Sequence, residues 1–444
     1  MNVPRFMISA ASSGSGKTLI TCGILQALIN RGLKVSSFKC GPDYIDPMFH
    51  SKVIGTVSRN VDAFFCDDDT LRDLFCSAAP DTDISVIEGV MGFYDGSSVE
   101  DSSASSCDVS LKLGAPVILL IDSRGAARSV LATLKGFLNF ERNRIAGVIF
   151  NRMSENTFMK LKDQVRAMGV EPIGCVPKVD VNLTSRHLGL VLPDEIADLR
   201  ERLNVLAEIL ERTVDIPKLI EVASTADNLA YAHVSSDEVK KDVRIGLARD
   251  DAFCFIYEDN IEMLRRAGAE IVEFSPLYDE SVPDVDMIIL PGGYPELHAG
   301  TLESNEHMRD SIRTRISDGM PCLAECGGFM YLQDTMEDKD GEMRSMCGVI
   351  NGTSWNTKAL RRFGYVTLSN GRIKVKGHEF HYWDSDSCGT DWTACRKNGQ
   401  SYRCIHDDGK MVAGYPHLYY PSNPEFVDMI MQRARAYKDQ KGEP

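Results

Sequence analysis

A chain of 444 residues is too long for one hydrophobic core and calls for two or three domains. Its 43% hydrophobic and 25% charged composition is that of an ordinary globular protein, and no apolar run is long enough to span a bilayer. A formal charge of −15 argues against nucleic acid or a membrane surface as partner, while leaving room for a local basic pocket.

The N-terminus runs directly into a strand-like segment, so no signal peptide is expected. In the first half, RFMISAA (5–11), VSSFKC (35–40), ISVIEGV (84–90), PVILLID (116–122) and RIAGVIFN (144–151) are apolar or β-branched without polar alternation. Such runs suit strands buried on both faces of a parallel sheet. Between the first two, TLITCGILQALINRG (18–32) spaces Leu19, Cys22, Leu25 and Ile29 at helical intervals and stops at Gly32. The alternation predicts a doubly wound α/β domain over residues 1–222.

The first strand ends in ASSGSGKT (11–18), the setting of a phosphate-binding loop, although Ala11 stands where the common motif has its first glycine. Backbone N–H groups of Ser13, Gly14, Ser15 and Gly16 would wrap a phosphate, Lys17 would reach the outer phosphates, and the Thr18 hydroxyl would bind Mg²⁺. A glycine-rich β–α turn is the plain alternative. KCGPDYIDPMFH (39–50) puts Lys39, Asp43, Asp46 and His50 at the carboxyl edge of the sheet; IEGVMGFYDG (87–96) adds Glu88 and Asp95. Solvated loop charge is the bland reading for Asp46 and Asp95. Glu88, set between an apolar strand and glycines, reads as a metal carboxylate, with Asp43 as a second candidate.

Residues 223–242, small, polar and charged, read as a linker, and a second α/β domain follows over 243–436. Its strands are RIGLAR (244–249), EIVEFSP (270–276), DMIILPGG (286–293) and PCLAEC (321–326). Thirteen cysteines, odd in number and without a CxxC pair, fit reduced thiols in a cytoplasmic protein rather than disulfides or a zinc site. Cys326, at a strand end before Gly327 and Gly328, reads as a nucleophile on a sharp turn, its pKa lowered by the helix start. Gly292, Gly293 and Gly327 would supply oxyanion N–H groups and His417 the base. A buried cysteine acting as a small hydrophobe is the competing view.

As a set, SSGSGKT, KCGPDYIDPMFH, IEGVMGFYDG, SRHLGLV, GGYPELHA, AECGGFMYL, GHEFHYW and HLYYPSNP, spread over residues 12–424, resemble the cobyrinate a,c-diamide synthase family. The resemblance implies a dethiobiotin-synthetase-like ATPase followed by a class I glutamine amidotransferase domain. It implies a Cys326–His417 dyad; Tyr419 stands where many relatives of that class have a glutamate, so what orients the imidazole is open. It also implies that Asn151 contacts adenine, and that ATP and L-glutamine are co-substrates with Mg²⁺ as cofactor. The implied acceptor is a corrin or related tetrapyrrole, amidated through an acyl phosphate at its a and c side chains. For such a polyanion Lys39, Asp46, His50, Arg59, Arg186, His187, Arg361, Arg362, His378 and His381 are candidate contacts, the arginines in loop-like contexts. Surface solvation is the alternative for each cation. A homodimer is left open. Rival readings are the same chemistry on nickel-sirohydrochlorin or hydrogenobyrinate, a cobyric acid synthase, and a non-enzymatic P-loop regulator with a degenerate amidotransferase domain.

Overall fold

The computed structural model of the protein describes residues 3–79, 81–179, 181, 199–231 and 240–442. The chain divides into two compact units, residues 1–234 and 235–444. The first is built on strands β1 (Arg5–Ala10), β2 (Val35–Cys40), β3 (Val57–Val61), β4 (Ile84–Glu88), β5 (Val117–Asp122), β6 (Ile145–Asn151) and β7 (Glu171–Val176). All seven run parallel in the order β3-β2-β4-β1-β5-β6-β7. Every residue of β1, β2 and β4 is buried, which is why these segments lack a regular polar alternation and their polar residues are mostly small serines or lie at the strand ends. The order doubles back between β1 and β4, so the carboxyl ends of β1, β2 and β4 open on one crevice. The helix Lys17–Asn30 leaves β1 there, and Gly32, at φ 81°, follows its end.

Residues 226–229, placed in the expected linker, pack on this first unit. Asp227 takes both guanidinium nitrogens of Arg144, at 2.7 and 2.8 Å, and its carbonyl accepts from buried Arg5 at 2.5 Å. At the other side Asp242 pairs with Arg435 at 2.8 Å, within the second unit. Residues 232–239 between them lie outside the described residues.

The second unit starts with β8 (Val243–Ala248), β9 (Ala269–Phe274), β10 (Met287–Leu290) and β11 (Cys322–Glu325). It continues with β12 (Gln333–Glu337), β13 (Met343–Ser345), β14 (Ile350–Asn356), β15 (Arg362–Ser369), β16 (Lys374–His381) and β17 (Trp383–Ser385). The last five are β18 (Trp392–Cys395), β19 (Ser401–Cys404), β20 (His406–Asp407), β21 (Met411–Gly414) and β22 (His417–Tyr419). The main sheet has the order β20-β21-β11-β10-β8-β9, parallel except for the edge pair β20–β21. Two smaller sheets follow, β13-β12-β14-β17 and the antiparallel β19-β18-β15-β16-β22. Cores rich in Leu, Ile, Met and Phe cover both faces of the main sheet and hold β11 at its centre. Among the described residues no helix is long and apolar enough to cross a membrane.

Candidate active sites

The loop after β1 is shaped by backbone conformations that only glycine adopts readily. Gly14 and Gly16 have φ of 73° and 92°, and a Cβ on Gly16 would lie 2.6 Å from Asn151 Nδ2. Asn151, expected at adenine, donates from Nδ2 to the Ser15 carbonyl at 2.8 Å and accepts the N–H of its neighbour Arg152 on Oδ1 at 2.9 Å. The Nδ2 end of that amide braces the loop. Lys17 Nζ donates to the carbonyls of Met91 and Ser12, and burial, with Lys39 nearby, brings its pKa down to about 8.

The Thr18 hydroxyl donates to Glu88 at 2.7 Å and lies 3.4 Å from Asp46 Oδ2. Asp46, expected at the ring substrate, stands beside the Thr18 hydroxyl, and Asp43, expected at the metal, uses its Oδ1 to cap the N–H groups of Ile45 and Asp46. Lys39 is 4% exposed and locked among carboxylates: it donates to Asp46, to Glu88 at 2.8 Å, and sits 3.8 Å from Asp43. Steering a substrate carboxylate, the expectation for Lys39, does not fit a charge so enclosed. Burial pushes the Glu88 carboxyl up, and Asp46 adds to it. His50 is fully buried under Glu88, its Nε2 3.6 Å from Oε2, and burial lowers it to about 4. Glu88 Oε2, buried without a hydrogen bond, and the Thr18 hydroxyl are donors of the kind Mg²⁺ takes when phosphates complete its shell. Among the described residues no group of three His, Cys, Asp or Glu forms a metal site by itself.

In the second unit Cys326 follows β11 with φ 46° and ψ −104°, a strained elbow between strand and helix Gly327–Leu332. The Gly327 N–H is directed at its sulfur. An imidazole and a thiol converge on one glycine. A Cβ on Gly292 would lie 2.3 Å from His417 Cε1, 3.1 Å from its Nδ1 and 3.4 Å from Cys326 Cβ. A Cβ on Gly327 would lie 3.2 Å from the Gly293 nitrogen, so the Gly293 and Gly327 backbones face each other beside the thiol.

The expected ionised, accessible thiol is corrected: Cys326 is 8% exposed, and burial drives its pKa up, helped by Glu296. Burial and the neighbouring His378 and His381 hold His417 well below its ordinary range. Thiol and imidazole both rest neutral. His378 stacks on His417 with centroids 4.9 Å apart, and His381 stacks on Tyr415 at 4.1 Å. Both are 5% exposed and belong to the surroundings of the thiol, not to an open ring surface.

The other cations expected at the ring are dispersed. Arg59 is a β3 residue donating to its neighbour's carbonyl, Arg361 pairs with Asp384 at 2.5 Å, and Arg362 opens β15 and lies over the Tyr402 ring. Arg186, His187 and the SRHLGLV stretch lie outside the described residues. Sequence reasoning missed Asn260, which grips both sides of β22 by donating to the Leu418 carbonyl at 2.9 Å and accepting the Tyr420 N–H at 2.8 Å. It missed Glu296 and Glu325 as well; each is a carboxyl that burial raises, to about 7 and about 8. A charged residue directly before the elbow cysteine was the available signal for Glu325.

A nucleotide-binding P-loop sheet followed by a cysteine-elbow sheet defines a glutamine amidotransferase joined to an ATPase. Residues 6–191 match the CobQ/CobB/MinD/ParA nucleotide binding domain, and residues 244–425 the CobB/CobQ-like glutamine amidotransferase domain. The cobyrinate a,c-diamide synthase of Listeria innocua is 39% identical over 95% of this chain and 98% of its own. That of Salmonella typhimurium is 39% identical over 97% and 98%. The chain belongs to the cobyrinate a,c-diamide synthase family. Among solved structures, PurLQS from Thermotoga maritima aligns with 44% of this chain and 98% of its own, at 17% identity and a TM-score of 0.32.

Proposed function

We infer that the protein uses ATP and glutamine to amidate the a and c carboxylates of cobyrinate in cobalamin biosynthesis. The observation that carries this reading is the convergence of Cys326, His417 and Gly292 in a chain similar over its length to enzymes of that name. Cys326 attacks the glutamine carboxamide while its proton passes to His417, giving a thioester and ammonia. Burial disfavours both the free thiolate and the free imidazolium, which suits a proton transfer made together with the attack. Backbone N–H groups of Gly293 and Gly327 support the oxyanion.

In the first unit the loop Ser13–Gly16 cradles the phosphates and Lys17 follows the γ-phosphoryl group to the ring carboxylate. Ammonia then displaces phosphate from the acyl phosphate, once for each side chain. Thr18, Glu88 and Asp46 would hold Mg²⁺, which when bound neutralises phosphate charge. Thirteen free cysteines support a reducing, cytoplasmic setting. The test incubates the protein with glutamine and MgATP against cobyrinate, hydrogenobyrinate and nickel-sirohydrochlorin, reading amide products by mass. Two amidations of cobyrinate are expected. Product only on another ring would move the acceptor; product on none would reject the reading.

A further inference from the structure

Asn260 holds the strand that carries His417 by its Leu418 carbonyl and Tyr420 N–H, yet a base also needs its ring set in one tautomer and its charge, once formed, balanced. Tyr419, two residues on, turns its hydroxyl to Asp259 at 2.9 Å. On the other side of the ring lies the residue that precedes the thiol. Glu325 closes β11, is 5% exposed, and its Oε1 accepts the Leu418 N–H at 3.3 Å. Its Oε2 lies 4.0 Å from His417 Nδ1. One carboxylate thus ties the strand that carries the nucleophile to the strand that carries the base.

We propose that Glu325 is the positioning residue of the glutaminase site, accepting the Nδ1 proton of His417 and so leaving Nε2 for the Cys326 thiol. The proposal rests on the reading of Cys326 and His417 as the glutaminase pair. At 4.0 Å the two atoms stand beyond hydrogen-bond distance, and the proposal requires that gap to close in the working site. As the Cys326 sulfur bonds to the carboxamide carbon, its proton moves to Nε2. The attack starts with Glu325 already ionised, its own proton released to solvent, so the resulting imidazolium keeps its Nδ1 proton against a carboxylate. In the resting site burial lifts this carboxyl to about 8, only the Leu418 N–H opposing the rise. A cationic ring beside it favours ionisation, so the two charges support each other. The groups facing this pair are Cys326, Tyr420 and His378, with His381 beyond on β16 and Glu296 and Glu379 near the thiol.

Glu325→Gln tests the assignment because the glutamine Oε1 still accepts the Leu418 N–H, leaving the structural bond in place. Glutamine-dependent kcat should fall about 10- to 100-fold with KM changed less than about threefold, and the ammonia-dependent reaction should be unchanged. The rise of the glutamine rate with pH toward about 8 should flatten in this variant, and Glu325→Asp should restore part of it. Glu325→Gln within about twofold of the parent, with the same pH profile, overturns the proposal; so does an equal loss with glutamine and with ammonia. Cys326→Ser, run alongside, separates the two layers. If it keeps the glutamine reaction, the underlying reading of the pair fails whatever Glu325 does.

Discussion

A methyl group at residue 292 would test the thiol–imidazole geometry more sharply than removal of either partner. In Gly292→Ala the new Cβ would sit 2.3 Å from His417 Cε1, where carbon atoms ordinarily pack at about 3.5–4.0 Å. The ring must therefore retreat by about 1.2–1.7 Å, or the strand end beneath it must shift as far. Asn260 holds the backbone on both sides of Tyr419, just beyond His417, so the imidazole moves before the strand does. Displacement of a reacting group by an ångström costs on the order of 100-fold in rate. Crowding of a packed site costs about 1–3 kcal/mol of stability. Glutamine-dependent amidation should drop about 100-fold while the rate with ammonium stays within about twofold, both read as product by mass. Gly300→Ala is the control, because its Cβ meets nothing within 4 Å in the helix Ala299–Ser304. Gly292→Ala with glutamine turnover within about threefold of the parent would refute the convergence of His417 and Cys326 on this glycine.

Lys17→Ala should abolish amidation with glutamine and with ammonium alike, since both need the activated carboxylate; ammonia-dependent product at the parent rate would reject the phosphate-loop assignment. Cys326→Ser should lose the glutamine reaction and keep the ammonia reaction. Cys322→Ser, a fully buried β11 position, should keep both and cost about 1–3 kcal/mol in a denaturant melt; the reverse pattern would misplace the elbow. Glu325 also predicts a pH signature in stability. Its folded pKa, about 8, lies above the ordinary carboxyl value, so between roughly 4.5 and 8 the folded state holds a proton that the unfolded state releases. That cost to the fold grows as pH rises through this window, at most about 1.4 kcal/mol per unit, and Glu325→Gln removes it. The variant's stability relative to the parent should therefore climb from pH 5 to pH 8 in urea titrations; a constant difference would contradict the burial of this carboxyl.

Burial on both faces made β1, β2, β4, β5 and β6 legible, because a strand with no wet side has no polar alternation to confuse it. The edge strands were not. VSRNV of β3 is polar and part-exposed, and EPIGCV of β7 carries a proline that an edge tolerates. Strands β12 to β22 are mostly short and mixed in polarity, so two small sheets went unread. At the sites, Lys17, Thr18, Glu88, Cys326 and His417 could be singled out because each sits at a strand end or loop whose type can be read locally. The enclosure of Lys39 was hidden for the opposite reason. Its three carboxylates come from the segment after β2 and from β4, and only the folded sheet brings them around the ammonium. The thiol was misread as ionised because the helix start was weighed without the burial that outweighs it.

The elbow at Cys326 sets the site against the stability of its own domain. At φ 46° and ψ −104° a side chain with a Cβ is held in a conformation that glycine alone adopts without strain, a cost of about 1–3 kcal/mol. Glycine at this position would relieve that strain and leave no thiol. Selection for heat resistance alone would therefore drift toward the inert residue, and a stabilised descendant of this chain would be expected to lose glutamine use before it lost its fold. A cysteine held at a strained corner of the sheet is what use of the thiol looks like in a backbone angle.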